Sequence, residues 1–287
     1  MNYRHIYHAG NFADVFKHVL LIALVQSLSI KNTPFFYLDT HAGIGEYDLQ
    51  KKSAQKTQEY RDGINKLASP LYTKEVRASP LLYDYLKLIE GLNNSRDSKK
   101  IRYYPGSPAL VKKLLRPLDR MVLTELHLED NSQLKQLFSK DKQVAVHYLD
   151  GYQALKAFLP PKENRGLVLI DPPFEKTDEY QQIVQNVVQA NMRWPTGIYA
   201  IWYPIKEAKA IKTFYKDFIK SGIREILCCE IQISDIAENN GLQACGMMVL
   251  SPPWQWQKKI ELVLPLLSHI LSHPSEGHYS VKWLVPE

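Results

Sequence analysis

Apolar residues in this chain follow two periods, and the order of the two predicts the fold class. From Asn11 to Ile30 the period is helical: Val15, Phe16, Val19, Leu20, Ala23 and Leu24 recur at i, i+3 and i+4 spacings behind an Asn and an Asp that suit a helix start. Pro34 to Asp39 is a short apolar strand running into Gly43 and Gly45. After residue 97, strand-like runs at Ile101–Tyr104, Met121–Glu125, Val144–Leu149, Leu167–Ile170 and Gly197–Tyr203 alternate with helical segments at Pro108–Leu115, Gln133–Ser139, Gln153–Phe158 and Glu179–Ala190. Single helices between strands predict a parallel sheet covered on both faces. The last third adds strands at Glu225–Ile233, Gly246–Leu250 and Tyr279–Val285, the latter two as an antiparallel pair. Leu49 to Asp97 breaks the pattern, being polar, with helical spacing at Leu81, Tyr85, Leu88 and Ile89. The expected organisation is a doubly wound α/β domain made of 1–48 and 98–287, with a helical subdomain inserted at 49–97.

The run Leu167-Val168-Leu169-Ile170-Asp171-Pro172-Pro173-Phe174 carries the most chemistry. Four consecutive apolar residues suit a strand buried on both faces, and two prolines end its ladder because they offer no N–H. Asp171 therefore sits at a C-terminal strand end, the edge where parallel sheets bind ligands. An acid beside a rigid turn that presents a ring can hold a planar amino-bearing group, the carboxylate accepting from the NH2 while the ring stacks. The same residues would also serve as a capped, strand-ending turn. Asp39, Glu125 and Asp150 close apolar strands too, so four acids would line one rim, which turn chemistry does not require. Glu125 is either an acceptor for ribose hydroxyls or a solvated strand end, and Asp150-Gly151 is also common turn chemistry. Gly43 and Gly45 lack a full G-x-G-x-x-G, since position 48 is Asp, so a dinucleotide pyrophosphate is not the natural occupant.

Tyr3-Arg4-His5 and Tyr7-His8 set rings and a cation before the helix that carries Lys17 and His18, a combination that suits nucleic acid or an arm covering apolar surface. His18 and His41 lack the paired ligand spacing of a metal site, and no metal is expected. Gly106-Ser107-Pro108 reads as a helix start with Ser107 as N-cap. Trp254 and Trp256 read as core or edge. A formal charge of +6 favours an anionic partner without identifying it. Cys228, Cys229 and Cys245 suit buried small hydrophobes, which implies a reducing cytoplasm. There is no secretory pattern, and no apolar stretch approaches the ~20 residues that span a bilayer, so a soluble protein without a membrane partner is expected.

Taken together, Tyr3 to Asn11, Ala13-Asp14-Val15, Lys17-His18, Tyr37 to Gly43, Arg102 to Pro108, Leu123 to His127, Asp150-Gly151, Ile170 to Pro173 and Ile198 to Pro204 resemble the bacterial RlmJ family, and the likeness runs on to Trp283-Leu284-Val285-Pro286-Glu287. The resemblance implies a monomeric adenine-N6 methyltransferase acting on 23S ribosomal RNA with S-adenosylmethionine. It implies a class I methyltransferase fold, Rossmann-like, with a mostly parallel seven-stranded sheet and a small helical insertion. Carried over by motif, Lys17, His18, His41, Ser107, Glu125, Asp150, Gly151 and Asp171 would hold the cofactor. Asp171 would be the catalytic acid, while Tyr3, Arg4, Pro172 and Phe174 would meet the substrate. The family's usual Asp-Pro-Pro-Tyr is Asp-Pro-Pro-Phe here, which keeps the stacking face and loses the hydroxyl. Rival readings are methylation of DNA adenine or of protein glutamine, and a noncatalytic nucleic-acid-binding protein on the same scaffold.

Overall fold

In a computed structural model, which describes residues 4–94, 96, 101–234, 241–272 and 277–287, the alternating segments build one eight-stranded sheet with helices on both faces. The first part of the chain runs α1 (Phe12–Ser29), β1 (Phe36–Asp39) and β2 (Glu46–Asp48). Four helices follow, α2 (Lys52–Thr57), α3 (Ile64–Leu67), α4 (Thr73–Ala78) and α5 (Pro80–Asn94). Then come β3 (Tyr103–Pro105), α6 (Ser107–Leu114), β4 (Arg120–Glu125), α7 (Leu128–Leu137), β5 (Val144–Tyr148), α8 (Gly151–Phe158) and β6 (Gly166–Ile170). The last elements are α9 (Glu179–Arg193), β7 (Ile198–Pro204), α10 (Ala208–Lys220), β8 (Ile226–Gln232), β9 (Ala244–Leu250), α11 (Trp256–Leu271) and β10 (His278–Val285).

The sheet order is β10-β8-β9-β7-β6-β1-β4-β5. Strands β7, β6, β1, β4 and β5 are parallel, and β9 enters antiparallel between β7 and β8. Three sequence-based expectations change. The sheet has eight strands rather than seven. The segments around Gly246–Leu250 and Tyr279–Val285 do not pair, because β8 lies between them and takes both as antiparallel neighbours. Residues 101–105 leave the main sheet, and β3 instead pairs with β2 in a separate two-stranded ladder. Alternation along a strand fixes which faces are apolar, but a three-residue strand does not say which partner it finds.

The apolar run of β6 is buried on both faces as its composition requires. Leu167 and Leu169 point into the core under α1 and α11, and Val168 and Ile170 into the core that includes α8, α9 and α10. Asn11 caps α1, its side chain accepting from Asp14 N at 2.9 Å. This helix is long and apolar enough to cross a membrane, yet 89% of that window is buried inside the protein. It packs against α5, α6 and α11, which is why it is apolar nearly all round. Ile64, Leu82, Tyr85 and Ile89 of the 49–97 region are fully buried in that same core. Cys228, Cys229 and Cys245 are free, buried thiols. Trp256 is buried at the start of α11, whereas Trp254 is 85% exposed and belongs to neither core nor edge packing.

Because the helices of 49–97 share the core of the sheet, they should unfold with it. Ile64→Ala should cost about 2–4 kcal/mol. In urea, its midpoint by tryptophan fluorescence should shift as far as its midpoint by circular dichroism, although all five tryptophans lie outside 49–97. A shift confined to circular dichroism would make the region an independent unit.

Candidate active site

The chain leaves β1 for β4 and β5 on one side and returns to β6 on the other, so a crevice opens at the C-terminal ends of β1 and β6. A cleft of about 1140 Å³ lies there. Of the sequence-predicted site residues, Lys17, His18, His41, Ser107, Glu125, Asp150, Gly151, Asp171, Pro172 and Phe174 line it. Tyr3 lies outside the described residues. Arg4 is drawn elsewhere: its guanidinium pairs with Glu129 at 2.9 Å and Asp130 at 2.8 Å, tying the N-terminal arm to the start of α7.

Asp171 is fixed by α1. Lys17 Nζ donates to Asp171 Oδ2 at 2.5 Å and pairs with Asp14 Oδ1 at 2.8 Å. Asp14 Oδ2 accepts from Gly10 N at 2.9 Å and lies 2.9 Å from His5 Nε2. Burial works to discharge both groups. The two carboxylates nevertheless hold the Lys17 ammonium well above its ordinary range, and His5 with Lys17 holds Asp14 well below its own. Lys17 and Asp14 are therefore both charged, and Asp171 is gripped by one oxygen. Oδ1 has no hydrogen-bond partner among the described residues.

The other acids divide the work unevenly. Asp39 is fully buried and does not reach the cleft, so the expected four-acid rim is three. It accepts from Tyr37 OH at 2.9 Å and from Ser107 Oγ at 2.7 Å, and burial pushes its carboxyl up to about 6. Ser107 is thus not the cap of α6: Gly106 is, and the hydroxyl is spent on Asp39. Glu125 accepts from Gly43 N and His127 N, both at 2.8 Å, and so shapes the glycine turn while facing the cleft. Asp150 Oδ1 caps α8 through Tyr152 N at 2.9 Å and Gln153 N at 3.1 Å, so turn chemistry and a cleft position coexist there.

Two histidines are neutral for the same reason. Burial lowers His18 to about 3 and His41 to about 4. His18 Nδ1 sits 2.8 Å from Tyr104 OH, which is 2.9 Å from Tyr85 OH. Thr40 Oγ1 donates its proton to Leu169 O at 3.0 Å, and His41 Nδ1 lies 2.8 Å from Thr40 Oγ1. Both contacts are satisfied when His41 carries its proton on Nδ1, leaving Nε2 as an acceptor. Gly151 must be glycine, since a Cβ would stand 2.6 Å from both His41 Cε1 and Thr40 O.

The turn after Asp171 is strained. Phe174 has φ 49°, a left-handed conformation costing a bulky residue about 1–3 kcal/mol. Its ring packs 4.9 Å from Tyr180 and 5.8 Å, edge-on, from Trp202. Trp202 and Asp14 were not singled out from the sequence. Asp14 could have been, since with Lys17 and His18 it makes a set of polar residues at i, i+3 and i+4 in a largely apolar helix. Trp202 carries no such signal, since a strand tryptophan is ordinary core.

The walls carry nine carboxylates against four lysines, so a phosphate-bearing cofactor would be repelled. A positively charged ligand rich in hydroxyl and amino donors fits these acceptors, and S-adenosylmethionine is such a molecule. The doubly wound sheet, the acid-rimmed crevice at its switch point and the Asp-Pro-Pro-Phe turn define a class I, S-adenosylmethionine-dependent methyltransferase. A family model described as "Ribosomal RNA large subunit methyltransferase D, RlmJ" matches residues 32–285. The chain belongs to this RlmJ family. It is 42% identical to the Ribosomal RNA large subunit methyltransferase J of Haemophilus influenzae and 41% identical to that of Escherichia coli, over all 287 residues and the whole of each relative. A Legionella pneumophila protein of known crystal structure superposes with a TM-score of 0.86 at 34% identity, covering 96% of this chain and 98% of that one.

The buried histidines set an acid sensitivity. Unfolded, His18 binds a proton near its ordinary 6.5, but folded it refuses one until about 3, so stability falls as pH drops below 6.5. Each such histidine contributes up to ~1.4 kcal/mol per pH unit. Asp39 acts oppositely between about 6 and 3.8, taking its proton first in the folded state. His18→Gln should flatten the dependence of unfolding free energy on pH between 6.5 and 5 by about one proton, measured by urea titration at several pH values.

Proposed function

We propose that this protein transfers a methyl group from S-adenosylmethionine to the N6 amino group of one adenine in 23S ribosomal RNA, acting as a cytoplasmic monomer. The observation that carries the reading is the Asp171-Pro172-Pro173-Phe174 turn, with Asp171 held through Oδ2 by buried Lys17 and Oδ1 left without a protein partner among the described residues. The names of the two bacterial relatives support RNA over DNA or protein as substrate.

Bound S-adenosylmethionine supplies an electrophilic methyl and its own leaving group. The protein's task is to present the nitrogen, whose lone pair is delocalised into the adenine ring. Asp171 Oδ1 and the Pro172 carbonyl accept the two N6 hydrogens, which favours a pyramidal nitrogen with its lone pair aimed at the methyl. Phe174 stacks on the base and holds its plane, backed by Tyr180 and Trp202. The proton lost from N6 passes to Asp171 Oδ1, while Lys17 keeps Oδ2. Glu125 would hold the ribose of the cofactor and Asp150 its adenine amino group, with the Gly43 turn beside the methionine end. An adenine inside a duplex would have to leave its stack to enter, so an exposed base is the easier substrate.

Incubation with labelled S-adenosylmethionine and 23S RNA lacking the modification, followed by digestion to nucleosides, should place label in N6-methyladenosine. Asp171→Asn keeps the shape of the side chain and should lose about 10²–10⁴-fold in rate. Phe174→Tyr should stay within a few-fold of the parent, and Phe174→Ala should fall at least ~10-fold for want of the stacking face. Label in duplex DNA or protein but not in RNA would overturn the substrate assignment.

A further inference from the structure

The cleft that must receive an RNA nucleotide is lined by nine carboxylates, so it repels the phosphates on either side of the target base. Compensating cations have to lie outside it. Of the four lysines on its walls, Lys17 is buried in the ion ladder and Lys66 lies 3.6 Å from Asp62, whereas Lys176 and Lys206 are exposed at the mouth. Lys206 leads directly into α10, whose buried face carries Ile211, Phe214 and Phe218. On the opposite face, Lys209, Lys212, Lys216 and Lys220 recur at i, i+3, i+7 and i+11, within an arc of about 80° at 100° per residue. All four are exposed, and none pairs with a carboxylate among the described residues. Residues 206–220 hold five lysines against Glu207 and Asp217, half of the +6 excess of the whole chain on one short segment.

We propose that the lysine face of α10 is a track for the phosphodiester backbone of the RNA strand that flanks the target adenine, entering the cleft between Lys176 and Lys206. The helix is about 20 Å long, room for several phosphates at ~3.4 Å per stacked nucleotide. Lysines on a helix contact phosphate as point charges, so the track sets affinity and direction of approach and leaves the choice of nucleotide to the cleft. The proposal rests on RNA being the substrate.

The test compares Lys209→Gln/Lys212→Gln/Lys216→Gln with a control that removes three exposed lysines elsewhere, Lys74→Gln/Lys258→Gln/Lys282→Gln. Binding of unmodified 23S RNA transcript is followed by fluorescence anisotropy from 50 to 200 mM salt, and methylation by label incorporation. The α10 variant should lower the slope of log K against log salt by about 2, one released counterion per lysine at ~0.7 each. It should raise KM for RNA about 10-fold or more at 150 mM salt, with kcat and the Kd for S-adenosylmethionine within twofold. Replacing the same three residues by arginine should restore both slope and KM. Equal losses in the control triple would reduce the effect to net charge and overturn the track. An unchanged slope and KM would overturn it too, leaving the stripe to an acidic protein or to solvent. If the parent protein binds the transcript but methylates none of it, the substrate reading fails while the salt slopes still decide the track.

Discussion

The buried ammonium of Lys17 is the contact on which the site depends. Taking a cation and two carboxylates out of water costs several kcal/mol per ion, and the arrangement holds only because Asp14 and Asp171 both face Lys17. That requirement couples the centre of α1 to the end of β6, two segments 154 residues apart in sequence. The helix cannot shift without unpairing a buried charge, and Asp171 cannot rotate without doing the same. Orientation of the Asp171 carboxylate is thereby tied to the packing of α1 against the sheet and the 49–97 helices.

A second constraint follows from sign. The interior of the cleft presents acceptors: the carboxylates of Glu125 and Asp150, and Nε2 of a neutral His41. Acceptors suit a sulfonium nucleoside and an adenine amino group, and they oppose phosphate. The basic surplus of the chain therefore has to be read outside the crevice, and α10 carries much of it on the side that meets solvent. Attraction of the polymer and recognition of the reacting groups are assigned to different surfaces of opposite charge.

Strain at Phe174 belongs to the same design. A left-handed aromatic residue after two prolines is unfavourable locally, and it persists because Tyr180 and Trp202 pack against the ring. The turn thereby carries a flat face beside Asp171 Oδ1, which has no hydrogen-bond partner among the described residues. A relaxed turn of the same sequence would keep the acid and misplace the ring.

Much of this was legible in the chain. Hydrophobic periods located α1 and the parallel strands because burial of one helix stripe or both strand faces is a local demand on composition. The acids at strand ends followed from where apolar runs stop. Motifs in order along the sequence pointed to the family, since many co-ordered residues constrain identity in a way no single motif does. What the sequence left undetermined were relations between distant residues. Ser107 looked like a cap until Asp39 was found to claim its hydroxyl, and Asp39 looked like a rim acid until β1 proved fully buried. The order β7-β9-β8-β10 could not be read either, because antiparallel strands of similar composition satisfy the same hydrophobic pattern with several partners. Sequence by itself determined which groups are present and at which edge of the sheet they lie. Tertiary structure alone decided which of them meet, because hydrogen bonds and ion pairs depend on distances of a few ångströms between segments that the chain brings together only when the core closes.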